Sequence, residues 1–414
     1  LHLCDRRQRQ MCIRDRYVII LGDGMADEPI EKLGGKTPLA YANTPTMDFL
    51  ADMSEVGLAQ TIPNGMKPGS DTANLSVLGY NPEVYYSGRS PLEALSIGVP
   101  MQADDIALRC NIVTVSEEDN IPYSERTIID HSSDEISTED AAVLIEAIKP
   151  VFENEIFKFY VGTSYRHCLI WKGGEVQDIT PPHDILGKVI GDYLPKQAIL
   201  REMMEKSYDI LNNHPLNIAR AAEGKRKANS IWLWGAGTKP HLDDFTAKTG
   251  KIGTMISAVD LLKGIAVGAK MNVVNVEGAN GGLHTNYEGK ANAAVKALLE
   301  DNNDFVYIHV EAPDEMGHQG SIENKVQSIE WLDSRVIKPV YEALKASGED
   351  FRMLILPDHP TPIRLRTHTA DPIPYMLFDS KKTDKTGNIY NEAHAQKTGI
   401  LVKEGHKLID KLLF

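Results

Sequence analysis

The sequence predicts an α/β protein built on a mainly parallel sheet. Three observations lead there: short β-branched or aromatic runs ending in Gly or Asp, amphipathic helical stretches between them, and the near-continuous apolar character expected of strands buried on both faces. In chain order the runs are Tyr17-Val-Ile-Ile-Leu21 before Gly22-Asp-Gly24, Ser230-Ile-Trp-Leu-Trp234 before Gly235-Ala-Gly237, Asp304-Phe-Val-Tyr-Ile-His-Val310 before Asp314, and Phe351-Arg-Met-Leu-Ile-Leu356 before Asp358-His359. Helical spacing over 323–346 (Val326, Ile329, Leu332, Val336, Val340, Leu344) and over 289–299 supplies covering helices. Ligands of such sheets bind beyond the carboxyl ends of the strands. Between 105 and 213 the pattern changes. Strand-like pieces at 107–115, 157–161 and 168–171 and a helix at 138–148 lie among acids and polar turns, and a helical stretch near 196–211 follows. The expected organisation is a discontinuous sheet domain, 17–104 and 214–414, interrupted by a smaller α+β insertion at 105–213. Residues 1–16 are arginine-rich, without the apolar core of a secretory leader, and are set aside as a non-native or disordered extension.

Composition narrows the function. With 414 residues, 42% hydrophobic and 25% charged, the chain is neither disordered nor fibrous. Lys and Arg number 44 against 58 Asp and Glu, a formal charge of −14, which argues against nucleic acid or an anionic membrane as a partner. No apolar run approaches the roughly 18 residues of a spanning helix. Cys4, Cys12, Cys110 and Cys168 show no paired spacing, which fits a reducing compartment and a cytoplasmic enzyme.

Acids and imidazoles cluster at the strand ends. Asp23 leaves the first run. Asp314 and His318 are four apart, on one face if the segment is helical. Asp358-His359 sits on a strand exit and His368 follows a short loop later, whereas His309, inside an alternating strand, reads as packing. Oxygen and imidazole donors without cysteine suit manganese, zinc or a similar divalent ion. Ser70, in Pro68-Gly-Ser-Asp-Thr-Ala-Asn-Leu75, begins a helix. It is either a cap of that helix or a nucleophile whose phosphate would sit at the helix N-terminus.

Leu21-Gly-Asp-Gly-Met-Ala-Asp27, Gly69-Ser-Asp-Thr-Ala-Asn74, Glu311-Ala-Pro-Asp-Glu-Met-Gly-His318, Pro357-Asp-His359 and Arg366-Thr-His368, in this order, resemble the archaeal-type cofactor-independent phosphoglycerate mutases of the alkaline phosphatase superfamily. The resemblance spans nearly all of the chain from Tyr17. It implies an alkaline-phosphatase-like sheet sandwiched by helices, with the insertion as a cap that excludes water. It implies interconversion of 3- and 2-phosphoglycerate through phosphorylated Ser70, with a small phosphorylated metabolite as partner and no 2,3-bisphosphoglycerate. It further implies two divalent cations, manganese first with magnesium, zinc or cobalt as alternatives: one on Asp314, His318 and His368, the other on Asp23, Ser70, Asp358 and His359.

Cations for the substrate are expected from Arg166, with Arg89, Arg109 and Lys239 as further candidates, and proton transfer from His183 or His131, with Asp71 and Asp184 as carboxylate alternatives. A dinucleotide site after Gly22-Asp-Gly24 lacks its third glycine. Homoserine kinase-like phosphotransfer, a phosphatase or a phosphopentomutase on the same scaffold are the alternatives, and the absence of a Walker A motif disfavours a nucleotide donor.

Overall fold

The structure, a computed structural model, describes residues 15–414. Cys4, Cys12 and nearly all of the extension set aside at 1–16 lie outside the described residues. Arg16 does not belong to that extension: its side chain is buried, is paired with Glu349 and donates to Asn303 O at 2.9 Å.

In chain order the strands are β1 (Arg16–Gly22), β2 (Ser54–Ala59), β3 (Asp105–Val115), β4 (Ile128–Asp130), β5 (Phe157–Thr163), β6 (Arg166–Lys172), β7 (Ser230–Thr238), β8 (Gly253–Ile256), β9 (Asn272–Val274), β10 (Phe305–Val310), β11 (Phe351–Leu356), β12 (Ile373–Asp379) and β13 (Leu401–Val402). The chain forms two compact units. Unit 1 runs to Tyr86 and resumes over His241–Phe414, and unit 2 is Ser87–Pro240.

Unit 1 carries an eight-stranded sheet in the order β13-β2-β12-β11-β1-β10-β8-β9. β1 pairs parallel with β10 and β11, and β10 with β8, while β12 runs antiparallel to β11 and β2. Every residue of β1 and β10 is buried, because both have strand neighbours on either side and their apolar side chains pack with those of the covering helices. Val18, Ile20, Val306, Ile308, Met353 and Ile355 share one core with Ala291 and Leu298 of the helix Tyr287–Leu299 and Ile329 and Leu332 of the helix Ile322–Leu332. The single helix expected over 323–346 is broken by a π turn, Asp333–Ile337, before Lys338–Ser347. Asp333, fully buried in that turn, accepts from the N–H groups of Thr46 and Met47 and so closes the N-terminus of the helix Pro45–Ala51.

Unit 2 holds an antiparallel sheet in the order β4-β3-β6-β5, with β7 also on β3. The helices Thr138–Phe152 and Ala198–Leu211 pack on it through Leu144, Ile145, Ile148, Leu200, Met204 and Leu211. One expectation is corrected here. The run 230–234 is a strand, but of this sheet: Ile231, Leu233 and Trp234 lie opposite Ile112, Cys110 and Arg109 of β3. Unit 2 therefore extends beyond 105–213 at both ends, since β7 and the helix Arg89–Ser96 pack with β3. Cys110 and Cys168 are buried and unbridged, in two different apolar clusters.

Candidate metal centre

In unit 1, strands distant in sequence deliver acids and imidazoles to one edge of the sheet. Asp23 leaves β1, Asp358 and His359 leave β11, and Asp314 and His318 lie on the helix Ala312–Gln319 that follows β10. Pro313 lies in the first turn of that helix, where its missing N–H costs nothing, and the four-residue spacing sets His318 Nε2 3.1 Å from Asp314 Oδ2. His368 Nε2 stands 3.4 Å from Asp314 Oδ1 and 3.0 Å from His318 Nε2. His359 Nε2 stands 3.3 Å from Asp358 Oδ2 and 3.6 Å from Asp23 Oδ1. Gly24, at φ +60°, permits this convergence: a Cβ there would meet Asp314 Oδ1 and Thr361 Oγ1 at 2.5 Å.

Ser70 is not the helix cap. The cap of the helix Ser70–Val77 is Gly69, which makes no side-chain bond, and Ser70 Oγ lies 3.1 Å from His359 Nε2. One turn on, Asn74 Nδ2 donates to Ser70 O at 2.8 Å and to Asp358 Oδ2 at 2.9 Å, and Tyr307 OH donates to Asn74 Oδ1. Asp71 accepts from its neighbour Thr72 N and from Tyr86 OH, both at 2.9 Å.

The electrostatics call for cations. Asp23, Asp314 and Asp358 are all buried, and Asp23 Oδ1 has no hydrogen-bond partner among the described residues. Burial, then the charges of Asp358 and Asp314, push the Asp23 carboxyl well above its ordinary range. Burial acts in the same direction on Asp314, but hydrogen bonds from His318 and His368 outweigh it and hold that carboxyl well below its range. Asp314 in turn raises His318 to about 9. Ligand atoms of Asp23, Asp358 and His359 lie within 4.8 Å of one another, and so do those of Asp314, His359 and His368. His318 Nδ1 donates to Arg366 O at 2.9 Å, which leaves Nε2 free to ligate. The donor set therefore fits divalent ions.

The sequence reading missed His309, assigned there to packing. Its Nε2 lies 2.9 Å from Asp23 Oδ2, and its Nδ1 meets Ser257 Oγ at 3.2 Å. An imidazole in an otherwise apolar buried strand was the signal available.

Unit 2 gathers the expected cations. Arg89 Nε and Arg109 Nε lie 2.9 and 3.2 Å from the Glu93 carboxylate. Burial would raise Glu93, but the charges of Arg109, Arg89 and Arg166 outweigh it and hold the carboxyl below its ordinary value. Arg109 lies over Trp234 at 4.9 Å and Arg166 over Tyr165 at 5.3 Å. His183 packs on Trp234, His131 on Tyr165, and the two imidazoles are 6.0 Å apart. Burial lowers His183 although Asp184, 3.7 Å away, opposes it. Lys239, half-buried just past β7, makes no hydrogen bond or ion pair among the described residues.

Comparison with known proteins decides the family. A 2,3-bisphosphoglycerate-independent phosphoglycerate mutase of Methanosarcina barkeri is 48% identical over 404 residues, covering 96% of this chain and 99% of that protein. The chain belongs to the 2,3-bisphosphoglycerate-independent phosphoglycerate mutases. The family so described matches residues 51–217, and the mutase 2 of Methanothermobacter thermautotrophicus is 42% identical over 96% of this chain and 97% of its own length. As a member of these mutases the chain is an enzyme, an isomerase independent of that cofactor. The solved PH0037 protein of Pyrococcus horikoshii superposes with a TM-score of 0.79 at 29% identity over 97% of both chains. The cofactor-independent mutase of Thermoplasma acidophilum, 24% identical with a TM-score of 0.61 over 96% of this chain and 98% of that one, shares the fold. No helix among the described residues is long and apolar enough to cross a membrane.

Proposed function

We propose that the chain interconverts 3-phosphoglycerate and 2-phosphoglycerate in the cytoplasm through a phosphorylated Ser70. Asp314, His318 and His368 would hold one divalent cation, and Asp23, Ser70, Asp358 and His359 a second, with manganese the first choice and magnesium, zinc or cobalt the alternatives. Bound cations would supply positive charge to the phosphoryl oxygens and acidify the serine hydroxyl. The observation that carries this reading is Ser70 Oγ, spared from capping and 3.1 Å from His359 Nε2 beside buried carboxylates.

In the forward half, Ser70 Oγ attacks phosphorus. The Oγ–P bond forms as the bond from phosphorus to the glycerate 3-oxygen breaks, the serine proton leaves, and the 3-oxygen takes up a proton. In the return half the 2-hydroxyl attacks the phosphoserine, loses its proton, and Ser70 regains one. No water or nucleotide is consumed. Asn74, bonded to Ser70 O and to Asp358, keeps nucleophile and acid in fixed register. Arg109 and Arg166 lie with Arg89 around the carboxylate of Glu93, a gathering of guanidinium groups that suits the glycerate carboxylate. His131 and His183 are the proton carriers of this reading, with Asp71 and Asp184 as alternates and Lys239 as an added cation.

The test follows label from 32P-phosphoglycerate. Acid quenching during turnover should yield phosphoserine 70 by peptide mass spectrometry, with 2-phosphoglycerate accumulating from 3-phosphoglycerate. Turnover without phosphoserine would exclude the covalent route. Faster transfer from ATP to homoserine, or faster hydrolysis of a phosphate ester, would assign the site to another reaction.

A further inference from the structure

The loop after β11 carries a buried hydroxyl that belongs to neither donor set. Thr361 is fully buried, two residues past His359. With His359 Nε2 turned toward Ser70 and the carboxylates, the opposite ring nitrogen faces Thr361 Oγ1 at 3.3 Å. Thr361 Oγ1 donates in turn to Asp314 Oδ1. A hydroxyl has one hydrogen to give and lone pairs with which to receive. The contacts therefore form a directed chain, from His359 Nδ1–H to the Thr361 hydroxyl and from that hydroxyl to Asp314, with one proposed ligand of each cation at its ends.

The surroundings are built to hold that hydroxyl in place. Two glycines make room for Thr361: a Cβ on Gly24 would lie 2.5 Å from its Oγ1, and one on Gly317 would lie 2.9 Å from its Cγ2. Its backbone is pinned on both sides, N donating to Ala26 O at 3.2 Å and O accepting from Lys325 Nζ at 2.8 Å. Lys325 is fully buried and paired at 2.8 Å with Asp27, whose carboxylate also accepts from Ile363 N at 3.1 Å. The loop that bears Asp23 and the loop that bears His359 are thus tied to the helix Ile322–Leu332 at the point where the hydroxyl sits.

We propose that Thr361 is a positioning residue whose hydroxyl sets His359 and Asp314 in mutual register, so that its loss weakens both cation positions together. The proposal rests on the two-cation reading given above. A side chain that merely filled space would give up stability on replacement and leave the cation affinities of the folded protein alone. A residue behind one ligand would change one affinity and spare the other.

The experiment titrates manganese into the full chain, stripped with a chelator, by calorimetry. Wild type should bind two ions. Thr361→Val, which keeps the shape and removes the hydroxyl, should weaken both steps by about 10- to 100-fold each, the usual cost of losing an outer partner of a metal ligand. Thr361→Ser, which keeps the hydroxyl, should restore both to within about threefold. The kcat of Thr361→Val at limiting manganese should fall by a like factor, with KM for phosphoglycerate unchanged. If Thr361→Val does not fold, Thr361→Ala must show the same paired loss. Unchanged affinities, a change at one step alone, or failure of serine to rescue would overturn the proposal. A wild type that binds fewer than two ions would overturn it together with the reading beneath it, an outcome told apart by the wild-type titration alone.

Discussion

Unit 1 assembles its acids and imidazoles on loops, whereas unit 2 mounts its arginines on or beside strands, and the difference follows from sheet type. In unit 1, β1, β10 and β11 run parallel, so their carboxyl ends lie side by side and the loops after them meet at one edge. Residues nearly 350 apart, Asp23 and His368, become neighbours of Asp314, and His309 of β10 is the strand residue that reaches this cluster. In unit 2, antiparallel register does the gathering: Asn111 lies opposite Arg166, which puts Arg109 and Arg166 on the same face of β3 and β6. The first arrangement makes a cluster around buried carboxylates, and the second a cationic cluster in which Arg166 stays exposed.

The largest expected effect tests the acidic side. Ser70→Ala removes the only atom to which phosphate would be attached, and kcat for mutase turnover should fall by at least ~10⁴-fold, while the thermal midpoint stays near wild type. Retained turnover would detach the loop cluster from the reaction altogether.

Next in size is stability. Lys325→Met leaves Asp27 buried without its cation, at a cost of about 3–5 kcal/mol by chemical denaturation. The counterpart in unit 2, Arg226→Met, breaks ion pairs to Asp130 and Asp134 of a side chain that is 51% exposed, and should cost less than about 1 kcal/mol. Equal losses would mean that burial does not separate the two regions energetically. Smaller again is Arg166→Met. The side chain is exposed, so folding should be intact, and the lost charge should raise KM for phosphoglycerate about 10- to 100-fold, the worth of one charged hydrogen bond. A fall in kcat at constant KM would move Arg166 from binding to chemistry.

The sequence was legible where buried parallel strands end. A continuous apolar run followed by an acid marks both the strand and the edge, which is why Asp23, Asp314, Asp358 and His359 could be singled out. It was less legible where function hides inside an apolar pattern. The run 230–234 has the composition of a strand covered on both faces, and that composition does not distinguish a parallel neighbour from an antiparallel one, so β7 was expected in the wrong sheet and the insertion drawn too short. Thr361 and Lys325 carried no signal because Asp314 and Ala26, which meet Thr361, and Asp27, which pairs with Lys325, lie tens to hundreds of residues away. Glu93 could have been found, standing four residues after Arg89 on one helix face.

His309 is the most instructive of the hidden residues, and the smallest predicted effect concerns the atom behind it. Ser257 Oγ accepts from Val259 N at 3.0 Å, so its hydrogen is free for His309 Nδ1 at 3.2 Å. When Ser257 donates to Nδ1, the proton of the neutral ring sits on Nε2, where it meets Asp23 Oδ2. Burial lowers His309 to about 3, so the ring is neutral, and a donating Ser257 hydroxyl favours the tautomer with its proton on Nε2. Ser257→Ala removes that donor and leaves the imidazole free to take the other tautomer, in which a bare Nε2 faces a carboxylate. The cost should be about 1 kcal/mol, roughly fivefold in manganese affinity, confined to the cation held by Asp23 and absent from the one held by Asp314. Loss at both positions would show that the two donor sets share more than the Thr361 hydroxyl, whereas no loss at either would return His309 to packing.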